Sequence, residues 1–265
     1  MVDSAAMSKP NILVIAGHDP SGGAGIQADI EAAAANGAHA ATVITLLTCQ
    51  DTRNVHDVQA VEQAFFGRCL ETAVADMRFG AIKTGAIANP EQVRLIAALV
   101  ARLPDVPLVV DPVLVAAGGG ALADDQVGLA LREQLFARAT VITPNAREAR
   151  ALCDGQTDIE RCGALLSAQT ANVLITGGDE HDAPVINRHY ADGQRAQRYE
   201  WPRLDGVFHG SGCTLASAVA AQLAHGHDAG QALARAQEYT WHTLEQAFAA
   251  GRGQRIPARF STRNP

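Results

Sequence analysis

The chain has 265 residues, 48% of them hydrophobic and 18% charged, with a net charge of −7. That length can bury a large core, as one α/β domain or two small ones, and the acidic balance argues against a nucleic-acid surface, which needs clustered Lys and Arg. No stretch of about 18 apolar residues is present to span a bilayer.

The first ten residues, M-V-D-S-A-A-M-S-K-P, carry acid and lack an apolar run, so they do not read as a secretory signal. Residues 1–9 are expected to form a disordered leader and 10–265 a single domain, because no linker or internal repeat divides that length. The first predicted strand, Asn11–Ala16, runs into A-G-H-D-P-S-G-G-A-G-I-Q-A-D, residues 16–29, and a predicted helix over Ile26–Asn36. Four glycines in nine positions let the backbone turn tightly and approach a ligand. A strand-to-helix turn without a ligand is the plain alternative. The second strand, Ala41–Leu47, leads to T-C-Q-D-T, where Gln50 offers both a donor and an acceptor to a heterocycle edge. A lone Gln is more often a surface residue.

A predicted helix over Val61–Ala75, a strand over Phe79–Lys83 and a helix over Glu91–Leu103 come next. The fourth strand, Pro107–Asp111, ends in a carboxylate that suits magnesium or a phosphate region, or else a turn cap. After helix Gln126–Phe136 and strand Thr140–Thr143 comes T-P-N-A-R-E-A, which puts Asn145 and Glu148 on one face of a helix start. Glu148 equally suits the helix dipole as an ordinary first-turn acid. The sixth strand, Asn172–Thr176, ends in I-T-G-G-D. Strands apolar throughout, alternating with amphipathic helices, predict a mainly parallel sheet with helices on both faces, a three-layer αβα architecture. Pro184–Ala191 and Arg195–Trp201, joined by Asp192-Gly193, read as an antiparallel hairpin on its edge.

Two helices, Cys213–His225 and Ala229–Ala249, close the chain before a basic, poorly patterned tail from Gly251. The first follows F-H-G-S-G-C. Gly210, Ser211 and Gly212 leave backbone N–H groups unpaired at a helix start, which makes an anion cradle. Cys213 at that terminus is expected to have its thiolate favoured by the helix dipole. An inert buried cysteine is the alternative, and it is the reading taken for Cys49, Cys69, Cys153 and Cys162. An odd cysteine count without C-x-x-C spacing points to reduced thiols in the cytoplasm. The nine histidines show no metal-ligand spacing; His209, beside the cradle, could touch a phosphate or face solvent.

Taken together, A-G-H-D-P-S-G-G-A-G-I-Q-A-D, V-I-T-L-L-T-C-Q-D-T, K-T-G-A-I, V-D-P-V-L-V-A, I-T-P-N-A-R-E-A and H-G-S-G-C-T-L-A-S-A resemble the hydroxymethylpyrimidine and phosphomethylpyrimidine kinases of thiamin biosynthesis, within the ribokinase-like fold. The resemblance runs from about residue 11 to about residue 250. It implies transfer of the γ-phosphoryl of ATP, with Mg2+, onto 4-amino-5-hydroxymethyl-2-methylpyrimidine and then onto its monophosphate. It further implies that Cys213 acts on the substrate hydroxymethyl group and that Gly210, Ser211 and Gly212 form the anion hole with it. Gln50, Gly17, Asp29, Thr48, Ala86 and Val113 would surround the pyrimidine. Asn145, Thr176, Gly178, Gly210 and Gly212 would meet ATP, with Glu148 and Asp111 near the metal. A homodimer is implied as well.

Two departures stand out. The family usually carries K-G-G-H where this chain has Thr176-Gly177-Gly178-Asp179, and Lys-Ser-Gly or Thr-Ser-Gly where it has Ala117-Gly118-Gly119. Lys83, His209 or a bound cation are the candidates to replace the missing positive charge. A pyridoxal kinase of the same fold is the nearest alternative, and a catalytically weak pyrimidine-binding protein the next. An NAD-dependent oxidoreductase is disfavoured, since G-x-G-x-x-G and its ribose-binding acid are absent after the first strand.

Overall fold

The computed structural model describes residues 9–114 and 125–260. All but the last residue of the expected leader, and the Ala117–Gly119 departure, lie outside them. Nine strands form one sheet: β1 (Asn11–His18), β2 (His39–Gln50), β3 (Val55–Ala60), β4 (Ala81–Thr84), β5 (Leu108–Val110), β6 (Val141–Ile142), β7 (Val173–Ile175), β8 (Val185–Ala191) and β9 (Gln194–Trp201). Their order is β3-β2-β1-β4-β5-β6-β7-β8-β9. From β2 to β7 neighbours are parallel; β3 runs antiparallel to β2, and β8 and β9 form the antiparallel edge. The turn between them has Asp192 at φ 51° and Gly193 at φ 74°, the paired left-handed residues of a tight hairpin.

Eight α-helices flank the sheet: α1 (Gly25–Ala35), α2 (Gln63–Asp76), α3 (Pro90–Ala101), α4 (Asp125–Gln134), α5 (Ala146–Leu152), α6 (Ile159–Ser167), α7 (Ser211–Ala224) and α8 (Ala229–Glu245). Period-two geometry makes the apolar strands serve two cores at once. In β1, Leu13 and Ile15 face a cluster built with α2, α3, α4 and α6, through Phe66, Ile96, Leu131 and Leu166. Ile12, Val14 and Ala16 face the other, built with α1, α7 and α8. The second cluster is mostly alanine, so α7 comes close to the strands and to α1 and α8. This is the predicted three-layer αβα arrangement.

Three features depart from expectation. Strand β3 has no counterpart among the predicted elements. The long helix predicted to Ala249 stops at Glu245, with Gln246 as its cap. The tail is not loose: Arg255 and Ile256 make bridges to Phe208 and Phe248, and the Arg259 side chain is fully buried. Its guanidinium donates to Thr214 Oγ1 at 2.8 Å, to the Gly22 and Gly23 carbonyls and to Glu31. The tail thus ties the first glycine loop to the start of α7. Among the described residues no helix is long and apolar enough to cross a membrane.

Candidate active site

Ligands of an open parallel sheet sit beyond the carboxyl ends of its strands, where the connections part. Here the chain leaves β1 towards β2 and returns to its other side in β4. A cleft of about 590 Å³ opens at that end, walled by the residues that follow β1, β2, β4, β5, β6 and β7 and by the start of α7. This volume suits a small heterocycle together with part of a nucleotide.

One end of the cleft carries Gly17, Thr48, Gln50, Ala86 and Val113. A side chain on Gly17 would collide with Leu46, so the glycine keeps this wall open. Thr48 Oγ1 donates to the His18 carbonyl at 2.9 Å, joining β2 to the register break at the end of β1. The other end carries Asn145, Glu148, Thr176 and Gly178, and beyond them Trp201, Leu204, Trp241 and Leu244. Sequence reasoning missed that aromatic and aliphatic wall. Trp201 at the end of β9 and Trp241 on α8 lie far apart in sequence and meet in the fold, with ring centroids 6.2 Å apart.

Between the two ends stand Gly210, Ser211, Gly212 and Cys213. Gly210 is the N-cap of α7, at φ 78°, with no side chain to cap the helix. A Cβ there would overlap the Gly23 carbonyl, so only glycine lets the two loops touch. The first-turn N–H groups have no intrahelical acceptors and face the cleft. Asp111 lies opposite, its carboxylate 3.8 Å from the space a Gly212 side chain would fill. The loop before α1 is braced by Asp19, which accepts from the Ser21 and Ala24 N–H groups at 2.8 Å each and pairs with His209 Nε2 at 2.8 Å. Burial works against the Asp19 carboxylate, yet His209, Ser21 and Ala24 hold its pKa below the ordinary value.

Two expectations change. Asp29 does not reach the cleft wall. It is fully buried beneath it, 2.8 Å from Lys83 Nζ and 2.7 Å from Ser217 Oγ. Lys83 is equally buried, so it cannot reach a nucleotide, and His209 is already paired with Asp19. Burial disfavours the Lys83 charge, but Asp29, Cys213 and Asp111 outweigh it and hold the pKa above the usual range.

The Cys213 thiolate is not favoured at rest either. Burial pushes the thiol up to about 12, Lys83 pulls it down, Asp29 and Asp111 push it up again, and a bond from the Gly25 N–H lowers it slightly. Desolvation at the cleft floor exceeds what one helix terminus supplies. The cysteine is therefore a thiol in the resting protein.

The carboxylates report the same cleft. Asp111 is 4% exposed and its Oδ2 has no hydrogen-bond partner among the described residues. Burial raises its pKa to about 6, Lys83 lowers it, and Asp29 raises it. Glu148 closes a capping box with Asn145, and burial followed by the Asp111 charge raises it to about 8, against the Asn145 and Leu114 N–H groups. Both readings of Glu148 hold at once, since the first-turn acid also lines the cleft. Asp179, which the sequence did not single out, accepts from the Ala146 and Arg147 N–H groups at 3.2 and 2.8 Å.

Glu148 is protonated more readily in the native state than in the unfolded chain, where it titrates near 4.5. The associated stability is complete below that value and disappears as pH rises through about 8. Without nucleotide or metal, the melting temperature should fall from pH 5 to pH 9. Glu148→Gln should flatten the fall and be more stable than the parent at pH 9 by about 1 kcal/mol or more. Parallel curves in differential scanning fluorimetry would remove Glu148 as the cause.

A family model described as phosphomethylpyrimidine kinase matches residues 19–258. A hydroxymethylpyrimidine/phosphomethylpyrimidine kinase of Mycobacterium tuberculosis is 38% identical over 254 residues, covering 93% of this chain and 92% of that protein. A chloroplastic thiamine biosynthetic bifunctional enzyme of Arabidopsis thaliana is 37% identical over 243 residues, 89% of this chain but 47% of the plant protein. The chain thus spans about half the length of the bifunctional relatives it matches. A pyridoxal kinase of Bacillus subtilis, solved as an ADP complex, superposes with a TM-score of 0.88 at 28% identity, over 95% of this chain and 98% of that one. The fold is accordingly ribokinase-like.

Proposed function

The chain belongs to the phosphomethylpyrimidine kinase family, and from that premise we propose that it transfers the γ-phosphoryl of ATP to 4-amino-5-hydroxymethyl-2-methylpyrimidine and to its monophosphate. One observation carries this reading: an uncapped helix start, a buried carboxylate with an oxygen unpartnered among the described residues, and a thiol converge midway along a cleft with a small polar end and a long apolar end. The Gln50, Thr48, Gly17, Ala86 and Val113 end would take the pyrimidine. The Asn145, Thr176 and Gly178 end would take the nucleotide, its base against Trp241 and Leu204.

Phosphoryl transfer asks chiefly for alignment and for stabilisation of spread negative charge. The Gly210–Cys213 N–H groups lie where the moving phosphoryl would pass, and removal of one such donor in comparable sites costs roughly 3 kcal/mol. Cys213 would orient the hydroxyl and, once deprotonated, take its proton as the new P–O bond forms and the bond to ADP breaks. In-line transfer needs no phospho-cysteine.

The carboxylate set fits a hard divalent cation. Asp111 and Glu148 offer oxygen ligands, and burial pushes each towards its protonated form, for Asp111 even against the Lys83 charge. Mg2+ bound with ATP would neutralise charge on the β- and γ-oxygens. Asp29 acts from below, by holding Lys83.

A coupled ADP-release assay tests the reading. ADP should appear with the pyrimidine alcohol and with its monophosphate, and faster than with pyridoxal. Turnover of pyridoxal alone would move the chain to the pyridoxal kinases. Tight pyrimidine binding without ADP release would make it a binding protein.

A further inference from the structure

Neither Lys83 nor His209 is free to meet the phosphates of a nucleotide, since Lys83 is buried on Asp29 and His209 pairs with Asp19. The nucleotide end of the cleft carries Asp179 beside Glu148. With Glu148 and Asp111 given to the metal, a polyphosphate entering there still meets the Asp179 carboxylate, and a cation of the protein at that end would offset it.

Four basic side chains reach the wall: His18, Arg147, Arg203 and His209. His18 ends β1 at the pyrimidine end, against Thr48. Arg203 is committed, since its guanidinium donates to the carbonyls of Gly177, Gly178, Glu180 and Asp182. Arg147 is different. It is exposed, on the first turn of α5, and makes no side-chain hydrogen bond or ion pair to any described residue.

We propose that Arg147 is the protein cation that receives the β- and γ-phosphates of the nucleotide, over the backbone that joins Asn145 to Thr176. The backbone brings the two positions together. Asn145 and Thr176 form a parallel bridge, the Ala146 N–H donates to the Thr176 carbonyl at 3.0 Å, and the Thr176 N–H to that of Pro144 at 3.0 Å. Side chains from 147 and 176 can therefore serve the same volume.

Asp179 completes the exchange. Its carboxylate takes the Ala146 and Arg147 N–H groups, so a phosphate cannot use them. It also fixes the backbone from which Arg147 projects. A planar guanidinium can bind two phosphate oxygens at once, and being always charged it offsets Asp179 at every working pH.

The proposal rests on the kinase reading, and binding of ADP and adenosine separates the two. Calorimetry should show the Arg147→Ala variant binding ADP about tenfold more weakly, with adenosine affinity unchanged, since only ADP presents the phosphates. In the ADP-release assay its KM for ATP should rise about tenfold, more than kcat falls. Arg147→Lys should retain most of the affinity, and Arg147→Ala/Thr176→Lys should regain it, which a merely structural role would not allow. If wild type turns over and Arg147→Ala keeps its ADP affinity, or loses adenosine affinity by the same factor, Arg147 is not the phosphate cation. If wild type binds ADP through Arg147 but transfers no phosphate, the kinase reading alone fails. Wild type that binds neither nucleotide nor nucleoside would overturn both.

Discussion

Replacing Cys213 by Ala should lower phosphoryl transfer by at least about 100-fold at saturating Mg2+ and ATP, with little change in melting temperature. The two halves of that expectation have separate causes. Cys213 lies at the cleft floor, on the open side of α7, while the packing of that helix comes from Leu215 to Leu223. Losing one sulfur at the floor leaves the core intact. The rate should depend on the same atom because it stands at the first turn of the N–H cradle, beside Asp111 and Lys83.

The pH profile discriminates further. A thiol pushed up to about 12 accepts a proton only after losing its own, so the wild-type rate should climb steadily from pH 7 to pH 9. The residual rate of Cys213→Ala should lack that slope. Asp111, at about 6, and Glu148, at about 8, titrate at those values only before any cation binds; at saturating Mg2+ both would be drawn lower, so neither should imitate the slope. Equal rates in the two proteins would end the catalytic assignment of Cys213. A slope surviving in Cys213→Ala would assign the proton to another group.

What is legible in the sequence is local. The alternation that splits Ile12, Val14 and Ala16 from Leu13 and Ile15, the Asp192-Gly193 turn and both glycine loops are each written in a few consecutive residues. Strand β3 is hidden because V-H-D-V-Q-A has no apolar face of its own, and only the edge of β2 makes it a strand. Arg259 sits in a tail whose basic composition suggests solvent, yet Thr214 and the Gly22 and Gly23 carbonyls, far away in sequence, bury it.

The protonation of Cys213 escapes sequence reasoning for a related reason. A helix start is visible in sequence, whereas the depth of the cleft and the charges of Asp29 and Asp111 beneath it are not. Asp29 itself reads as a substrate neighbour because it lies within the glycine-rich motif. One helical turn past the loop it points inward instead, to a lysine 54 residues away.

That buried pair supports the second large effect. Lys83→Met should destabilise the protein by about 3–5 kcal/mol, because it strands the Asp29 carboxylate with Ser217 as its one remaining hydrogen-bond donor among the described residues. A loss of that size should lower the melting temperature of a chain this long by about 10 °C. Asp29→Leu should cost a comparable amount by stranding the ammonium. The double variant Lys83→Met/Asp29→Leu removes both charges at once and should recover most of the stability, since a buried pair and an apolar replacement are often near equal. Its activity should recover in part, because Lys83 and Asp29 push the Cys213 thiol in opposite directions. Chemical denaturation of the three variants, with steady-state kinetics alongside, provides the check. Additive losses in the double variant would mean that the two residues do not act as a pair. Recovered stability with a sharply raised KM for the pyrimidine would return Asp29 to the substrate, in spite of its burial beneath the cleft.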